Sequence, residues 1–416
     1  MDEAKRKELI QTLGQRLNQA VRLYLDNCTR CGVCIESCHV YASAPDIRHS
    51  PVGRAQNIRR LYEKYFTVSG KLAPWLGEAV EFDDAWLKKI YETAYTCTGC
   101  RRCMTYCPFG IDTQQIQSIA KQLLIVADQE PKILSMLADM SVAKGQTIAD
   151  TKDSYAAAVR NLEGEVLERW RSEAGTDAIP LDVPDANVLY VALAGKHSII
   201  PAAAIMNAAG EKWSLSYFEA VNFGAFVGNP QKTKEIADRI IQEATRLRVK
   251  EVSICECGTA YRVMKYMTGE HPFQVTSFIE TIARYLREGR IKLKKGTIPG
   301  KVTYHDPCQL ARNGGVFEEP RYILRQLTDE FVEMTPTRED NWCCGGGGGL
   351  VAMGEKDFRM ASAKVKVDQF TATGAPTLVT ACENCHTQLS DLSEHYQTGV
   401  KVFFLSDLVS QALLPK

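Results

Sequence analysis

Apolar side chains recur at helical spacing along the first part of the chain. In residues 1–25 they return at nearly every turn, which predicts an amphipathic helix; these positions are Leu9, Ile10, Leu13, Leu17, Val21 and Leu25. Residues 39–96 and residues 111–172 continue with mostly helical patterns. The sequence therefore predicts a helical domain over residues 1–172.

From Asn187 onward, short apolar runs of strand length alternate with helical patterns. This alternation is typical of an α/β domain. The predicted strands are Val188–Leu193, Leu215–Phe218, Val252–Cys255, Val302–His305, Phe331–Met334 and Leu378–Thr380. Residues 173–186 contain the glycine and prolines of a linker, so the α/β domain is predicted over residues 187–416.

The α/β domain divides into two similar halves, residues 187–300 and residues 301–416. Two stretches of the first half align with two of the second: Asn222-Phe223-Gly224-Ala225 with Asn341-Trp342-Cys343-Cys344, and Ile254-Cys255-Glu256-Cys257-Gly258 with Ala381-Cys382-Glu383-Asn384-Cys385. We therefore predict two pseudo-repeated halves. The first half keeps the scaffold but lacks most thiols, so Cys255 and Cys257 are interpreted as buried thiols and not as metal ligands.

Composition limits the possible functions. The 416 residues carry no net formal charge, which gives no reason to expect a nucleic-acid partner. The N-terminal segment has no apolar core of signal-peptide length. The most apolar window, residues 186–210, is interrupted by Lys196 and His197, so it does not predict a membrane span. We expect a soluble, cytoplasmic chain.

Fifteen cysteines are many for a cytosolic protein, and thirteen of them fall into three groups of defined spacing. Such patterns favour thiolate metal sites in a reducing compartment. The first two groups each follow the spacing C-x2-C-x2-C-x3-C: Cys28, Cys31, Cys34 and Cys38, then Cys97, Cys100, Cys103 and Cys107. In ferredoxin runs of this kind, three cysteines hold a cubane 4Fe-4S cluster and the fourth crosses to the other cluster. The expected ligand sets are Cys28, Cys31 and Cys34 with Cys107, and Cys97, Cys100 and Cys103 with Cys38.

Other features of these runs leave alternatives open. His39 follows Cys38 where proline is usual, although proline shapes the turn and is not a ligand. Zinc is the alternative occupant of a C-x2-C pair, but two complete four-cysteine runs favour iron-sulfur clusters. Nearby arginines would favour electron uptake by anionic clusters, or would instead form a solvated charged face; they are Arg54, Arg59, Arg60, Arg101 and Arg102.

The third group has five members with the spacing C-x34-C-C-G-x36-C-x2-C: Cys308, Cys343, Cys344, Cys382 and Cys385. They come from three loops, two of which close predicted strands, where α/β folds place their sites. Adjacent cysteines in extended backbone point to opposite faces, so the pair does not suit an ordinary four-thiolate site. Glycines after the pair let backbone N–H groups approach sulfur, whereas a flexible linker is the alternative; the candidates are Gly345, Gly346 and Gly347.

This cysteine pattern resembles the CCG-domain family, whose members include the catalytic subunits of heterodisulfide reductases. The resemblance covers nearly the whole chain, with a two-cluster ferredoxin-like domain followed by a paired CCG domain. It is similar to the membrane-associated D-type subunit and to relatives in sulfate reducers, namely the K subunit of the Dsr membrane complex and iron-sulfur subunits of the Tmc and Hmc complexes. The resemblance implies a single noncubane 4Fe-4S cluster with the ligands Cys308, Cys343, Cys344, Cys382 and Cys385.

The resemblance also implies a function. Two cubane clusters would relay electrons to the noncubane cluster, which would act on a disulfide or a protein-thiol partner. The implied membrane partners are a cytochrome b or quinone-reactive subunit, with multiheme cytochrome or further iron-sulfur subunits, at the inner face of the cell membrane. At the noncubane cluster, His305 and His386 are candidates to deliver protons. Alternatively, they orient the cysteine-bearing loops through hydrogen bonds.

Two other functions are compatible with the same sequence. One is the iron-sulfur subunit of a glycolate, lactate or glycerol-3-phosphate dehydrogenase that passes electrons to quinone. The other is a zinc-stabilised interaction protein without electron transfer. The sequence has no G-x-G-x-x-G fingerprint after a strand, so either redox function requires a partner chain for any flavin or nicotinamide.

Overall fold

A computed structural model of the chain describes residues 1–146, 149–169, 179–193 and 195–414. These residues form two compact units. We call them the helical unit, with the segments Met1–Ser135, Gly224–Pro230 and Trp342–Lys366, and the sheet unit, with the described parts of Met136–Phe223, Gln231–Asn341 and Val367–Lys416. Each unit combines three segments of the chain, whereas the predicted domains are contiguous. The limits of those domains stay a prediction.

The helical unit begins with a series of helices that enclose an apolar core. Helices α5, α7 and α9 of this series pack on one another, with Ile58, Leu61, Ile90 and Leu123 fully or almost fully buried. In chain order the helices are α1 (Glu3–Arg16), α2 (Gln19–Asn27), α3 (Val33–Glu36), α4 (His39–Ser43), α5 (Pro51–Phe66), α6 (Val68–Leu72), α7 (Asp84–Ala94), α8 (Arg102–Tyr106) and α9 (Thr113–Val126).

The single helix predicted over residues 1–25 is in fact two helices. The Asn18 side chain accepts a hydrogen bond from the amide of Val21 at 2.9 Å, so it caps a new helix that begins at Gln19. Leu9, Leu13 and Val21 are nevertheless buried, as their spacing predicts. The helix α2 ends at Asn27 and leads directly into the first four-cysteine run.

The sheet unit is built on two four-stranded parallel sheets. The strands are β1 (Val188–Val191), β2 (Trp213–Leu215), β3 (Glu251–Ile254), β4 (Gln274–Ser277), β5 (Val302–His305), β6 (Phe331–Val332), β7 (Thr377–Thr380) and β8 (Lys401–Phe404). Their order is β2-β1-β3-β4 in the first sheet and β6-β5-β7-β8 in the second. Both sheets therefore have the same strand order.

The remaining helices include the connections between parallel strands, as parallel pairing requires. They are α10 (Lys132–Lys144), α11 (Lys152–Arg169), α12 (Lys196–Ala208), α13 (Phe223–Val227), α14 (Pro230–Leu247), α15 (Gly258–Tyr266), α16 (Phe278–Arg287), α17 (Glu318–Leu327), α18 (Leu350–Met353), α19 (Lys356–Ala361), α20 (Lys364–Thr371), α21 (Glu383–His395) and α22 (Leu405–Ala412). Within the part of the chain that the structure describes, none of the helices is both long and apolar enough to span a bilayer.

The sequence pattern located six of the described strands but missed β4 and β8. Each of these is one of the two edge strands of its sheet, and only its last residue is buried, so neither strand forms a continuous apolar run. Of the predicted linker, residues 173–178 lie outside the described residues. Leu181 forms a parallel bridge with Leu215, so the end of the predicted linker pairs with the first sheet.

The loop after β5 is anchored by a buried ion pair. Arg321 in α17 is fully buried and contacts both carboxylate oxygens of Asp306, each at 2.8 Å. Its Nε donates a further hydrogen bond to Glu333 at 2.6 Å. Asp306 follows β5 directly and precedes Cys308 by two residues. The ion pair therefore holds the start of a cysteine-bearing loop.

The substitution Arg321→Leu is expected to lower the free energy of unfolding by about 3–5 kcal/mol, because it leaves the buried Asp306 carboxylate without a counter-charge. Urea unfolding followed by circular dichroism measures the change. Arg248→Leu is the matched control, because Arg248 makes a similar two-pronged contact with Asp185 at the exposed surface. Equal losses of stability in the two variants would contradict this account.

Candidate iron-sulfur sites

The first cavity of the helical unit has a volume of about 460 Å³, part of it open to solvent. Thiols from both four-cysteine runs line it: Cys28, Cys31, Cys34, Cys103 and Cys107. The rest of the wall is mostly apolar, with Pro51, Val52, Ala55, Pro108, Phe109 and Ile111. Cys107 of the second run thus joins three cysteines of the first run.

The second cavity has a volume of about 380 Å³ and shows the reciprocal arrangement. Its thiols are Cys38, Cys97, Cys100 and Cys103. Most of the other residues that line it have polar or charged side chains, among them Ser37, His39, Arg54, Thr98, Arg101 and Gln114. The two cavities group the eight thiols as a crossed ligand arrangement requires, with Cys103 on the wall of both. This grouping supports the proposed ligand sets.

Each four-cysteine run folds through the same backbone turn. The second and fourth residues after the first cysteine have positive φ in both runs: Arg30 and Gly32 at 59° and 86°, and Gly99 and Arg101 at 68° and 60°. Left-handed residues within a turn direct successive N–H groups toward one centre, which forms a concavity that binds anions. A cluster of iron, sulfide and thiolate with net negative charge is such an anion.

The thiols of these runs do not ionise readily by themselves. Burial raises the pKa of Cys34 to about 11, and the neighbouring Cys28 and Cys107 add to the rise. Burial also raises the pKa of Cys103, with a further contribution from Cys100. Thiolates are the form that binds metal. Positively charged iron between the sulfurs would stabilise the thiolate form of these cysteines. A set of four closely spaced thiolates therefore fits an iron-sulfur cluster.

A buried arginine approaches the second cavity. The Nη1 atom of Arg54 lies 3.8 Å from the Sγ of Cys38. Its Nε and Nη2 atoms donate to the carbonyl oxygens of Thr93 and Thr96 at 3.1 and 3.0 Å, which fixes the guanidinium group in place. Arg54 is 3% exposed, so it does not belong to a solvated charged face.

The other predicted arginines have different environments. Arg102 is buried and packs on the indole of Trp342, with 3.6 Å between its guanidinium carbon and the ring centre. Arg59 is also buried and donates to a backbone carbonyl. Arg101 pairs with Asp112 at 2.6 Å, which neutralises its charge locally. Arg60 is partly exposed, as a surface residue would be.

Lys121 is a buried cation that the sequence pattern did not single out. Its Nζ donates to the carbonyl oxygens of Phe226 and Gly348 at 2.8 and 3.2 Å, and lies 4.7 Å from the ring centre of Tyr95. Burial lowers the pKa of Lys121 to about 8, while Cys97 acts in the opposite direction. A lysine within the amphipathic helix α9 carries no sequence signal for burial, because later segments of the chain bury it.

The adjacent cysteines are held by the backbone of the glycine run. The amide nitrogens of Gly345 and Gly346 lie 3.5 Å from the Sγ atoms of Cys343 and Cys344 respectively. Both thiols are buried. The N–H groups thus reach sulfur, as the choice of glycine at these positions suggests.

The next two glycines pack against the loop that carries the second four-cysteine run. A Cβ atom at Gly347 would stand 2.8 Å from the carbonyl oxygen of Thr98, and one at Gly348 would stand 2.5 Å from that of Cys97. Gly348 also has a φ of +67°. The run is therefore a packed segment of the helical unit and not a flexible linker.

The five thiols of the third group are divided between the two units. Cys343 and Cys344 belong to the helical unit, and Cys308, Cys382 and Cys385 belong to the sheet unit. Cys308 follows β5 and Cys382 follows β7, which are adjacent parallel strands, so these two loops start at the same edge of the sheet. A hydrogen bond from Cys385 lowers the pKa of Cys382.

Cys255 and Cys257, which follow β3 in the first half, have another character. Both are buried, and burial raises the pKa of Cys257 to about 12. Burial raises the pKa of Cys255 as well. Both side chains therefore favour the protonated thiol, as Cys34 and Cys103 do. What distinguishes them is that the first half has no further cysteines to complete a ligand set.

The two predicted histidines lie in the second half of the sheet unit. His305 is buried at the end of β5, with its Nδ1 3.2 Å from the side-chain amide nitrogen of Asn341. His386 in α21 stacks on the ring of Phe404, with 4.1 Å between ring centres. Burial lowers the pKa of His386, which favours the neutral imidazole.

An ion pair near these residues was missed by sequence reasoning. The Nε2 of His197 lies 3.0 Å from a carboxylate oxygen of Glu383, the residue between Cys382 and Asn384. The hydrogen bond to Glu383 raises the pKa of His197. His197 comes from the first half of the sheet unit, and its position in the apolar window carried no signal for a carboxylate partner.

Sequence comparisons define the class of protein to which these sites belong. Residues 24–111 match the 4Fe-4S dicluster domain family, and residues 302–390 match the cysteine-rich domain family known as CCG. The chain is thus an iron-sulfur protein with a dicluster domain followed by a CCG domain.

Relatives narrow the class. The chain is 27% identical to the Hdr-like menaquinol oxidoreductase iron-sulfur subunit 2 of Archaeoglobus fulgidus, over 95% of this chain and 81% of that protein. It is 27% identical to the D-type subunit of the dihydromethanophenazine:CoB–CoM heterodisulfide reductase of Methanosarcina mazei, over 99% of this chain and 98% of that protein. The predicted resemblance to heterodisulfide reductase D-type subunits is confirmed over almost the whole chain, and these relatives indicate an oxidoreductase.

One solved structure has a similar fold. The crystal structure of a hypothetical protein from Helicobacter pylori superimposes with a TM-score of 0.50, over the whole of this chain and 77% of its own. The sequences are 12% identical, so the likeness concerns the fold alone.

Gly348→Ala is expected to remove roughly four iron atoms per chain, one cluster, because its Cβ would displace the loop of Cys97. The iron-to-protein ratio after anaerobic reconstitution measures this loss. Gly354→Ala is the matched control, since Gly354 has a φ of +73° but no atom within 4 Å of an added Cβ. The control is expected to cost only about 1–2 kcal/mol of backbone strain and to retain its iron. Equal iron contents in the two variants would refute the steric argument.

Arg54→Leu is expected to make the cluster at the second cavity harder to reduce, because a buried positive charge and an N–H group beside Cys38 are lost. The reduction equilibrium should fall roughly tenfold, or about 59 mV for a one-electron couple. Redox titration followed by electron paramagnetic resonance (EPR) provides the measurement. Arg48→Leu serves as the control, since Arg48 is an exposed arginine paired with Asp46. An unchanged potential in Arg54→Leu would contradict the assignment.

Proposed function

We propose that this chain is the cytoplasmic iron-sulfur subunit of a membrane-associated, heterodisulfide-reductase-like redox complex. Two cubane 4Fe-4S clusters would relay electrons to one noncubane 4Fe-4S cluster, which acts on a disulfide or a protein-thiol partner. The observation that carries the proposal is the pair of cavities in the helical unit. Each cavity is lined by three cysteines of one run and the fourth cysteine of the other, as in a two-cluster ferredoxin, and Cys103 also lies on the wall of the first cavity.

The proposed ligands of the noncubane cluster are Cys308, Cys343, Cys344, Cys382 and Cys385. Bound clusters supply one-electron oxidation and reduction, while the chain sets their potential and access. Three observations support the ligand set: the strand-end positions of Cys308 and Cys382, the burial of the Cys343–Cys344 pair, and the N–H groups directed at that pair.

In the proposed function, the buried cations of the helical unit stabilise the reduced state of the clusters. Arg54 and Lys121 are fixed by backbone carbonyl oxygens close to the second four-cysteine set. Arg102, which is adjacent to Cys103, is fixed by the carbonyl oxygen of Ser37 at 2.8 Å. Positive charges with so little freedom stabilise an added electron without reorganisation, because they already point to the site where negative charge develops.

His305 and His386 are proposed to hold the proton that a departing thiolate requires. His305 is adjacent to the Asp306–Arg321 pair, and His386 is held by its stack on Phe404. Burial lowers the pKa of His386, so a protonated imidazole there is a stronger acid, which favours transfer of its proton to a departing thiolate. The alternative role for both residues is to orient the loops through hydrogen bonds.

The sheet unit is proposed to consist of two pseudo-repeated halves with a single noncubane cluster. The shared strand order of the two sheets supports the repeat. Only Cys255 in the first half occupies a position equivalent to a ligand, and one thiol cannot replace the five of the second half. We therefore assign the cluster to the second half, together with the Cys343–Cys344 pair.

The membrane partner is proposed from the relatives. The Archaeoglobus relative is named as a menaquinol oxidoreductase subunit, and the Methanosarcina relative as a subunit of a dihydromethanophenazine-linked reductase. We propose that a cytochrome b or quinone-reactive subunit, with multiheme cytochrome or further iron-sulfur subunits, holds this chain at the inner face of the membrane.

Purification of the native complex tests this proposal. A copurifying heme b subunit would support it, whereas a copurifying flavoprotein would support the alternative glycolate, lactate or glycerol-3-phosphate dehydrogenase.

The cysteine assignment predicts the iron content of variants. The full chain should bind about twelve iron atoms, four in each of three clusters. Cys343→Ser should reduce this to about eight and remove the noncubane EPR signal, while the cubane signals persist. Cys257→Ser, the control, should retain the full content because its thiol is not a proposed ligand. Zinc in place of iron, or eight iron atoms in the unaltered chain, would refute the proposed cluster set.

A further inference from the structure

His39 has an environment that the proposed ligand sets do not explain. It follows Cys38 directly, at the position where a ferredoxin run usually has proline. The side chain is 3% exposed, and neither ring nitrogen has a hydrogen-bond partner. A buried polar group without a partner destabilises a fold. An unsatisfied buried histidine therefore indicates a bound group or a hydrogen-bond acceptor that forms only when a cluster is present.

Two sulfur atoms from different cysteine groups lie beside this ring. A ring nitrogen of His39, the Sγ of Cys100 and the Sγ of Cys343 all lie within 4.8 Å of one another. Cys100 lines the second cavity, and Cys343 belongs to the Cys-Cys-Gly segment. The Cys343 Sγ is also 3.4 Å from the hydroxyl oxygen of Thr98, which lines the same cavity. The second four-cysteine set and the third group therefore meet at His39 within the helical unit.

We infer that His39 is the hydrogen-bonding link between the second cubane and the Cys343 cluster, with its N–H donated to the thiolate of Cys100 or of Cys343. This inference rests on the proposed function, because only cluster-bound thiolates are full acceptors. A neutral imidazole has one N–H donor, which a proline at this position lacks. Cys100 and Cys343 are each required by a cluster, which argues against a separate mononuclear ion bound by these three residues.

Hydrogen bonds to cluster sulfurs raise the reduction potential, because they stabilise the more negative, reduced state. His39 thus acts as a positioning residue that tunes one cluster and keeps the two sulfurs adjacent. Since the ring lies beside both sulfurs, it also provides a short bridge of bonded and hydrogen-bonded atoms between the two electron carriers. A residue with only a packing role would not affect a potential in this way.

Variants of the full chain with reconstituted clusters test the inference. In His39→Phe, the reduction equilibrium of the cluster whose thiolate accepts the N–H should fall roughly tenfold, or about 59 mV for a one-electron couple. His39→Gln and His39→Asn place an amide N–H near the positions of Nε2 and Nδ1 respectively, and one of them should restore the potential. His271→Phe is the matched control, because the Nε2 of His271 already lies 2.7 Å from the Thr268 hydroxyl.

EPR-monitored redox titration, with an iron assay of each sample, gives the readout. A shift at the second cubane identifies Cys100 as the acceptor, and a shift at the Cys343 cluster identifies Cys343. Unchanged potentials in His39→Phe with full iron content would overturn the inference while leaving the proposed function intact. Loss of one metal ion with unchanged cluster spectra would also overturn it and would indicate a mononuclear site. Absence of clusters from the unaltered chain would instead refute the proposed function.

A second measurement applies if His39→Phe fails to load its clusters. Pulsed EPR of the unaltered chain, with ¹⁵N in its seven histidines, should detect a weak nitrogen coupling on a reduced cluster. The coupling should disappear in His39→Gln and His39→Asn while the clusters remain. A spectrum without any histidine nitrogen coupling in the unaltered chain would overturn the inference.

Discussion

Thiols that are buried side by side resist ionisation, and this electrostatic constraint shapes the helical unit. Burial and neighbouring thiols raise the pKa of Cys34 to about 11, so the unloaded pocket favours protonated sulfur. Ligation by iron reverses that preference because it places positive charge between the sulfurs. The fold must therefore keep several poorly ionising groups at close range until the cluster stabilises them.

The backbone contributes to that arrangement. The residues with positive φ in both four-cysteine runs form a turn around the cysteine sulfurs, and this turn directs backbone N–H groups toward them. The glycine run does the same for Cys343 and Cys344, whose sulfurs receive the N–H groups of Gly345 and Gly346. Glycine is needed next at Gly347 and Gly348, because a side chain there would collide with carbonyl oxygens of the loop that carries Cys97 and Thr98. The glycine run thus directs N–H groups to the Cys343–Cys344 pair and also packs against the second four-cysteine run.

The sequence predicts those features of the fold and the sites that depend on residues close together in the chain. It does not predict features that depend on contacts between distant segments. Cysteine spacing is local, so the two four-cysteine runs are recognised from the sequence, and the linings of the two cavities agree with the crossed ligand sets that remain a prediction. Central strands such as β5 are buried on both faces and form apolar runs, whereas the outer strands β4 and β8 do not. Lys121 carried no signal in the sequence, and His39 was noted only as a departure from proline, because distant segments of the chain surround both residues. The groups beside them, Gly348 and Cys343, lie more than two hundred residues away in sequence.

The two cavities have different chemical surroundings, and this difference bears on the direction of electron flow. The first cavity is lined mostly by apolar groups, and its Cys31 is exposed. The second has the fixed cation of Arg54 beside a sulfur, with buried Lys121 near Cys97. At equal cluster charge, Coulomb stabilisation in a poorly screened site favours the electron at the second cavity. That cavity also adjoins the glycine run and Cys343. In the proposed function, this charge pattern would favour electron transfer from a cluster in the first cavity to one in the second.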